Sequence, residues 1–351
     1  MKKSIIGTIG AAIMVLLILG VLPANAADKP IELKLATHWP SMHDMNNAMV
    51  DFARLIGLES KGKIRVTYYP TGMLATTGEK YLKVRTGVAD MTNIHFHLHP
   101  GELPLIQLST MPFLFRDGME ATWVLNQMSD IWAKELEAKN VKLLYVIGDP
   151  NFQIMLRQKK VRTPADFKGL RLRSGGFADE GLKIWGAIPV SMKEAELYES
   201  LQKGVIDGVV FPVGAGKAFK LEEVIKYIYR IEYFTYGLAM SMNLDTWKRL
   251  PKDMQDAVMR ASYQSASVSG FQYEDTDSKA FPYYKAKGID VYTPTEAELK
   301  ELKSSLAGLK DKMVADLEKK GLPGKKTLAR MEELIQQYRA MGNIDKLKMT
   351  Y

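Results

Sequence analysis

The first third of the chain alternates between two hydrophobic periodicities. Residues 31–36 and 63–69 alternate apolar and polar side chains as half-buried strands do, and residues 88–94 form a shorter strand-like run. Between them, residues 45–60 and 78–86 carry apolar side chains at helical spacing. Strand, helix, strand, helix, strand is the order that builds a parallel sheet, so the sequence predicts an α/β fold.

A second α/β unit follows the first. Further strands are predicted at 141–147, 154–156, 171–173 and 208–211. The first unit should end near Gly148, and a strand at 238–243 is placed to rejoin it. A long helical stretch over 251–287 should kink or end at Pro282. Repeated crossing between two units predicts two lobes around a hinged cleft, a common place for a small ligand.

The N-terminus has the composition of an export signal. Lys2 and Lys3 precede an apolar run over residues 5–22, and the small residues 24–26 follow it. We predict a signal peptide over residues 1–26, export to the periplasm, and no stable membrane insertion after cleavage. An uncleaved membrane anchor is the alternative, because the apolar run is nearly long enough to span a bilayer.

Composition narrows the class of function. The chain has no cysteine, which removes thiol nucleophiles and thiolate metal sites. The net charge of +8 comes from basic residues scattered among acidic ones, so no nucleic-acid-binding stripe is predicted. The motifs of serine and zinc hydrolases are absent from the sequence, although Ser174-Gly175-Gly176 beside Arg173 leaves a hydrolase as an alternative. We expect no enzyme activity and no cofactor.

Arg173 stands at the end of a short apolar strand. A guanidinium placed where a strand opens into a cleft is suited to hold a carboxylate through two parallel hydrogen bonds. The alternative role is a structural ion pair at the surface. The arginine therefore indicates a small organic acid as ligand.

Five segments resemble one protein family in the family's order. They are Arg162–Arg173 (RTPADFKGLRLR), Leu201–Gly208 (LQKGVIDG), Tyr69–Leu74 (YPTGML), Gly87–Met91 (GVADM) and Met111–Phe115 (MPFLF). Together they resemble the DctP-type solute-binding proteins of TRAP transporters across most of the chain after residue 26.

The resemblance implies two α/β lobes, a hinge of crossing strands and a long helix that spans both lobes. It places lobe I at 27–148 plus about 238–278, and lobe II at 149–237 plus about 279–351. It also implies capture of an organic anion in the periplasm and delivery to the membrane permease subunits, with Arg173 as the carboxylate-binding arginine. A ligand sensor for a membrane kinase would use the same fold and site.

Two positions depart from the family's pattern. Gln153 stands where many members have a second arginine, and Phe211 stands where many have an asparagine that contacts the ligand. Unpaired polar groups in a closed cleft are costly, so a pocket tends to mirror its ligand. We therefore predict a monocarboxylate with an aromatic or apolar body, packed on Phe211 and Trp39. A C4-dicarboxylate or a sugar acid is the alternative, and Phe211 could instead turn into the core.

Other side chains follow first-lobe strands and should face the cleft. His38 and Trp39 follow the first strand, and His95 follows the strand at 88–94. Both histidines could donate hydrogen bonds to a ligand oxygen or serve structural roles. Tyr236 precedes the strand at 238–243 and should also reach the cleft. His95 with the two histidines at 97 and 99 could bind zinc on an extended strand, but the prolines nearby favour irregular chain and no metal.

Overall fold

A computed structural model describes residues 29–41 and 43–342 of the chain. The predicted signal peptide, residues 1–26, lies outside the described residues. In the described residues, the strands are β1 Ile31–Ala36, β2 Ile64–Tyr69, β3 Met91–His95, β4 Val141–Gly148, β5 Gln153–Leu156, β6 Arg171–Arg173, β7 Ile188–Val190, β8 Gly208–Phe211, β9 Tyr227–Tyr229, β10 Gly237–Asn243 and β11 Asp290–Tyr292.

The α-helices of the same residues cover both sheets and end the chain. They are α1 Asp44–Glu59, α2 Lys80–Arg85, α3 Gly118–Gln127, α4 Ser129–Glu137, α5 Ala178–Ile184, α6 Leu197–Gln202, α7 Val213–Ala218, α8 Leu244–Arg249, α9 Lys252–Ala286, α10 Glu296–Ser305, α11 Ala307–Lys319 and α12 Gly324–Ala340. Short 3-10 helices lie between them, including Phe96–Leu98 and Glu194–Glu196.

The described strands form two sheets. The first has the order β2-β1-β3-β10-β4, with β1 parallel to β2 and β3, and β10 antiparallel to both of its neighbours. The second has the order β11-β9-β5-β8-β6-β7, with β6 parallel to β7 and β8. The predicted mixed α/β fold with two lobes is confirmed. The strand predicted to rejoin the first unit does so as β10, between β3 and β4.

Two neighbouring backbone segments carry the chain between the sheets. The first follows β4 and the second precedes β10, and they hydrogen-bond to each other from Asp149 N to Tyr236 O (2.9 Å) and from Phe152 N to Phe234 O (2.8 Å). Gly148 begins the first crossing in close contact with α3. A Cβ there would overlap the carbonyl oxygen of Gly118 and lie 2.7 Å from the Cβ of Ala121. The close approach of the two backbones therefore requires glycine at this position.

The long helix α9 is the third connection between the sheets. Its first half packs on α1 and β4, and its second half packs on α7 and β11. The helix does not end at Pro282, one of the two outcomes predicted there, but continues to Ala286, next to the predicted limit at 287. A proline removes one backbone hydrogen bond and its ring crowds the carbonyl four residues earlier, but the buried rings of Phe281 and Tyr284 hold the last turn on the core.

The C-terminal helices divide their contacts between the lobes. Trp185, directly after α5, donates from Nε1 to Ser305 Oγ (2.7 Å), which ties α10 to the second sheet's helices. In α12, the ring of Tyr338 packs 5.6 Å from that of Trp123 on α3, and Arg339 pairs with the fully buried Glu120 (2.8 Å). The exact lobe boundaries stay a prediction. The contacts of α12 favour the first lobe over the second, to which the sequence-based division gave residues 279–351.

Over residues 29–41 and 43–342, no helix combines the length and the apolar character that crossing a bilayer requires.

Candidate functional site

Both sheets direct the carboxyl ends of parallel strands toward a shared cleft. The loop after β1 and the end of β3 face it from the first lobe, and the ends of β6 and β8 face it from the second. Crevices at the carboxyl ends of strands are where open α/β sheets bind ligands. The topology therefore brings together residues that lie more than a hundred positions apart in sequence.

The cleft has two parts. An enclosed part, here called the inner cleft, has a volume of about 20 Å³, the space of one water. It is lined by Trp39, His43, His95, His97, Asp149, Phe152, Arg173, Glu194, Phe211, Pro212, Ala215, Tyr236 and Tyr273. An open part of about 500 Å³, here called the outer cavity, adjoins it. His97, Phe152 and Arg173 line both parts.

Arg173 ends β6 with its side chain 14% exposed. Its Cζ lies 5.4 Å from the centroid of the Phe211 ring, and its Nη2 lies 3.9 Å from Oε1 of Glu194. Its Nε is buried without a hydrogen-bond partner among the described residues. A buried donor without a partner is costly, so the guanidinium retains capacity to bind an incoming carboxylate.

Phe211 serves the core and the cleft together. It is 3% exposed, and its ring packs edge-on against Phe152 (6.3 Å between centroids) and Phe219 (5.8 Å). The ring also lines the inner cleft beneath Arg173. The two roles considered for Phe211 are therefore not exclusive.

His38 and His95 lie together with Lys80, a residue that the sequence analysis did not identify. Nζ of Lys80 lies 3.0 Å from Nδ1 of each histidine. Lys80 is 1% exposed, and its amino group also lies 5.4 Å from the centroid of the Trp39 ring. Burial lowers the pKa of Lys80 well below its usual value, and burial likewise lowers the pKa of His95.

Glu194 was also missed, and it links the two lobes. Its Oε2 lies 3.6 Å from Nε2 of His38, while its Oε1 faces Arg173. Burial raises the pKa of Glu194, but the contacts with His38 and Arg173 outweigh it and lower the pKa to about 2. Burial lowers the pKa of His38 to about 4. At neutral pH, the cleft therefore holds an ionised Glu194 beside an uncharged His38.

Trp39 and His43 form the floor of the first-lobe side. Trp39 is 3% exposed, and its ring stacks on that of His43 at 5.5 Å between centroids. His43 caps α1, because its Nδ1 accepts a hydrogen bond from Met45 N at 3.2 Å. Burial lowers the pKa of His43 to about 4, so it stays uncharged at neutral pH. The predicted place of Trp39 beside the cleft agrees with this geometry.

The hinge contributes a buried carboxyl with two phenols. Asp149 follows β4, and burial raises its pKa to about 7 against the opposing effect of Tyr236 and Tyr273. Tyr236 was predicted to reach the cleft, and its ring lines the inner cleft 4.0 Å from that of His97. Asp149 and Tyr273 lie on crossing segments, so their position in the cleft depends on tertiary structure.

Gln153, which the sequence analysis selected as a ligand-binding residue, is bonded to Glu232 instead of lining the cleft. Its Nε2 donates to Oε2 of Glu232 (2.7 Å), and its Oε1 accepts from Glu232 N (3.1 Å). It lines neither the inner cleft nor the outer cavity. Gln153 is the ladder partner of Phe211, but its bonds to Glu232 hold it out of the cleft lining, whereas Phe152, which precedes β5, lines both parts of the cleft.

The three histidines considered for zinc do not converge. The 3-10 helix Phe96–Leu98 interrupts the extended chain that would have put them on one face. His95 and His97 face the cleft, whereas the ring of His99 packs 4.6 Å from that of Tyr81. Within 29–41 and 43–342, no group of three histidine or acidic side chains is placed to hold a metal ion.

Some missed residues carried a signal in the sequence. Lys80 shares the buried face of α2 with Tyr81 and Val84, and a lysine at an apolar helical position is a sign of a specific partner. The chain has five histidines, and four of them lie at the cleft. Glu194 carried no such signal, because it stands among other charged residues before α6.

The protein has the architecture of a two-lobed ligand-binding protein. Its two sheets enclose a charged cleft where the chain crosses between the lobes. A model of the DctP family, described as bacterial extracellular solute-binding protein family 7, matches residues 35–317. The protein belongs to this family, and the resemblance to TRAP solute-binding proteins is confirmed.

Known relatives match the chain along most of their length. The 2,3-diketo-L-gulonate-binding periplasmic protein of Escherichia coli K12 is 26% identical over 245 residues, covering 69% of this chain and 75% of that protein. A TRAP solute-binding protein of Bordetella bronchiseptica, solved with (R)- and (S)-mandelate, is 25% identical with a TM-score of 0.80, covering 88% and 99%. One of Rhodoferax ferrireducens T118, solved with benzoate, is 22% identical with a TM-score of 0.82, covering 88% and 98%.

Proposed function

We propose that this protein is the extracytoplasmic solute-binding component of a TRAP transporter, and that it captures a monocarboxylate with an aromatic or apolar body. One observation carries the proposal: the Arg173 guanidinium, with an unpartnered Nε, lies over the Phe211 ring in a cleft between two lobes. A carboxylate would bind the guanidinium, and the ligand body would pack on aromatic side chains.

The charges of the cleft favour one carboxylate over two. Arg173 is the cation that lines the inner cleft, and the four imidazoles at the cleft have lowered pKa values. Lys80 stands behind His38 and His95 rather than in the lining. In the inner cleft, a second carboxylate would meet the ionised Glu194 without a cation of its own, which is costly in a closed site. Lys312 lines the outer cavity, but it is already paired with Glu180 (2.8 Å).

Capture would proceed by closure of the lobes. His38 and His95 come from the first lobe, and Arg173 and Phe211 come from the second, so a ligand contacts both only in the closed form. A ligand shifts such an equilibrium by its difference in affinity for the two forms. The closed form would then dock on the membrane permease in the periplasm, after removal of the signal peptide, with no chemical change to the ligand.

A sugar acid is the second candidate ligand. The polar wall of Asp149, Glu194 and His97 offers partners to hydroxyl groups, and the E. coli relative is named for a diketo sugar acid.

A sensor for a membrane kinase would bind the same ligand, and disruption of the permease genes separates the two roles. Transport requires the permease for uptake, whereas sensing persists without it.

A thermal-shift screen followed by calorimetry tests the proposal. The panel contains aromatic acids, 2-oxo acids, sugar acids and dicarboxylates, together with an ester and amide library that would reveal hydrolysis. We expect stabilisation by aromatic monocarboxylates. Stabilisation only by sugar acids or dicarboxylates would show that the assigned ligand class is wrong.

A matched pair of variants tests the arginine. Arg173→Lys keeps the charge but loses the two-pronged geometry, and we expect affinity to fall about 10- to 100-fold. Arg171→Lys is the control on the same strand, because Arg171 pairs with Asp207 at the surface (2.9 Å). Equal affinities in the two variants would refute the role of Arg173.

A further inference from the structure

Lys80 occupies an unusual place for a lysine. It begins α2, it is 1% exposed, and no carboxylate of the described residues lies within ion-pairing distance of its amino group. Buried lysines ordinarily pair with an acid. Its two close partners are instead Nδ1 of His38 and Nδ1 of His95, each at 3.0 Å.

The charge beside His38 favours one direction for its hydrogen bond with Lys80. An uncharged imidazole carries one proton, on either Nδ1 or Nε2. Nε2 of His38 has no hydrogen-bond partner among the described residues, but it lies 3.6 Å from a carboxylate oxygen of the ionised Glu194. This negative charge favours the proton on Nε2, which leaves Nδ1 to accept from Lys80.

The same amino group faces His95 at the same distance. An ammonium group only donates, whereas an uncharged amine has two N–H groups and one lone pair that can accept. When Lys80 directs an N–H at each histidine, Nδ1 of His95 also accepts, and the proton of His95 lies on Nε2. The His95 ring lines the inner cleft, and no described residue hydrogen-bonds its Nε2.

We propose that Lys80 is a positioning residue that holds His38 and His95 with their protons on Nε2, so that His95 presents a hydrogen-bond donor to the ligand. Lys80 itself does not line the cleft. Its role is to determine which ring nitrogen of His95 carries the proton that faces the ligand, as partners behind a histidine commonly do.

A hydrogen-bond donor on His95, near Arg173, favours a ligand with an acceptor next to its carboxylate. Arg173 and His95 line the same small cleft, so an oxygen on the carbon next to the carboxylate is the natural partner of His95. The inference rests on the proposed function and deepens it: the ligand is a 2-hydroxy or 2-oxo monocarboxylate. A 2-ammonium group cannot accept a hydrogen bond, so the Nε2–H of His95 disfavours it at this position.

The tautomers of His38 and His95 can be determined by ¹⁵N NMR in the absence of ligand. Long-range ¹H–¹⁵N correlation on the wild-type protein should assign the proton of both His38 and His95 to Nε2. A proton on Nδ1 of His95 would overturn the proposal, whatever the protein binds.

A chemical substitution isolates the amino group of Lys80. The chain has no cysteine, so Lys80→Cys provides a unique thiol that can be alkylated in the unfolded protein before refolding. Aminoethylation regenerates a lysine analogue, and propylation gives a thioether of the same length without the amine. We expect Nε2 protonation of His95 in the aminoethylated protein and mixed tautomers in the propylated one.

Binding of matched probes supplies the functional readout. Mandelate and phenylglyoxylate carry a 2-oxygen, phenylacetate lacks it, and phenylglycine replaces it with an ammonium group. In the wild type and the aminoethylated protein, calorimetry should give mandelate about tenfold tighter binding than phenylacetate, and propylation should remove this preference. Lys83→Met, on the partly exposed side of α2, is the control and should keep the preference.

The outcomes separate the two proposals. If no probe binds but the tautomers are as stated, the ligand class of the proposed function fails and the role of Lys80 stands. If the acids bind but mandelate is not preferred, or phenylglycine binds more tightly than mandelate, the inference about Lys80 and the 2-oxygen fails and the solute-binding function stands.

Discussion

Nε2 of His38 lies 3.6 Å from Oε2 of Glu194, and this contact joins the first lobe to the second across the cleft. The same carboxylate has its other oxygen 3.9 Å from Nη2 of Arg173. Glu194 therefore contacts both sides of the cleft and also shares the arginine with any anionic ligand.

We expect Glu194→Gln to bind an aromatic acid more tightly than the wild type. The substitution removes a negative charge that repels the ligand's carboxylate, an effect of roughly 1 kcal/mol or about fivefold for a partly exposed pair. Calorimetry with benzoate and mandelate measures it. Glu196→Gln, an exposed neighbour in the same 3-10 helix, is the control. Weaker binding by Glu194→Gln would identify Glu194 as a partner of the ligand rather than a competitor.

Phe211→Leu should weaken aromatic acids more than aliphatic ones. The substitution removes the ring under Arg173 and its edge-on contact with Phe152, contacts of about 0.5–1.5 kcal/mol or about 2- to 12-fold in affinity. Titration with benzoate and with an aliphatic monocarboxylate gives the ratio. Phe219→Leu changes a ring that packs on Phe211 without lining the cleft, and it should leave the ratio unchanged.

Ionisation of the buried Asp149 carboxyl should make the folded protein less stable as pH rises. Burial raises its pKa from 3.8 to about 7, so the folded state keeps a proton that the unfolded chain releases at lower pH. Its favourable contribution is complete below pH 3.8 and is lost as pH rises to about 7. We expect Asp149→Asn to unfold a few degrees above the wild type at pH 8 and at about the same temperature at pH 4.

Thermal unfolding across pH 4–8 measures this difference. Asp311→Asn, which changes an exposed carboxylate on α11, should give a curve parallel to the wild type. Glu274 also has a pKa raised to about 7 by burial, so part of the pH dependence should remain in Asp149→Asn. Curves for wild type and Asp149→Asn that run parallel from pH 4 to 8 would contradict the assignment.

Gly148→Ala should destabilise the hinge severely. The added Cβ would overlap the carbonyl oxygen of Gly118 and crowd the Cβ of Ala121, both in or next to the first turn of α3. Overpacking of this kind costs about 1–3 kcal/mol, and more where backbone must move. Urea unfolding gives the value. Gly78→Ala is the control, because a Cβ at that exposed position meets no atom within 4 Å, and its stability should stay within about 0.5 kcal/mol.

The alternating periods of the chain were sufficient to predict the α/β fold, two lobes and the long helix. Local patterns predict elements well when each strand or helix buries one face, as β1 and α1 do. The helical stretch predicted over 251–287 ends at Ala286, because the packing of its last turn outweighs the cost of Pro282.

The lining of the candidate site was predicted in part. Arg173, Trp39 and Tyr236 were selected from their positions next to strands, and Phe211 from the place where family members have an asparagine; all four line the inner cleft. Gln153 was selected by its alignment with the family's arginine, but its side chain bonds to Glu232 on a distant segment and does not line the cleft.

The sequence by itself determined the class of fold, the family and the arginine that should bind a carboxylate, because these depend on local periodicity and on short motifs. Only the tertiary structure brought Lys80 to His38 and His95, and Glu194 to Arg173. These partners lie on different elements and often on different lobes. Their pKa values and hydrogen bonds arise from burial and proximity, which no segment of the sequence contains alone.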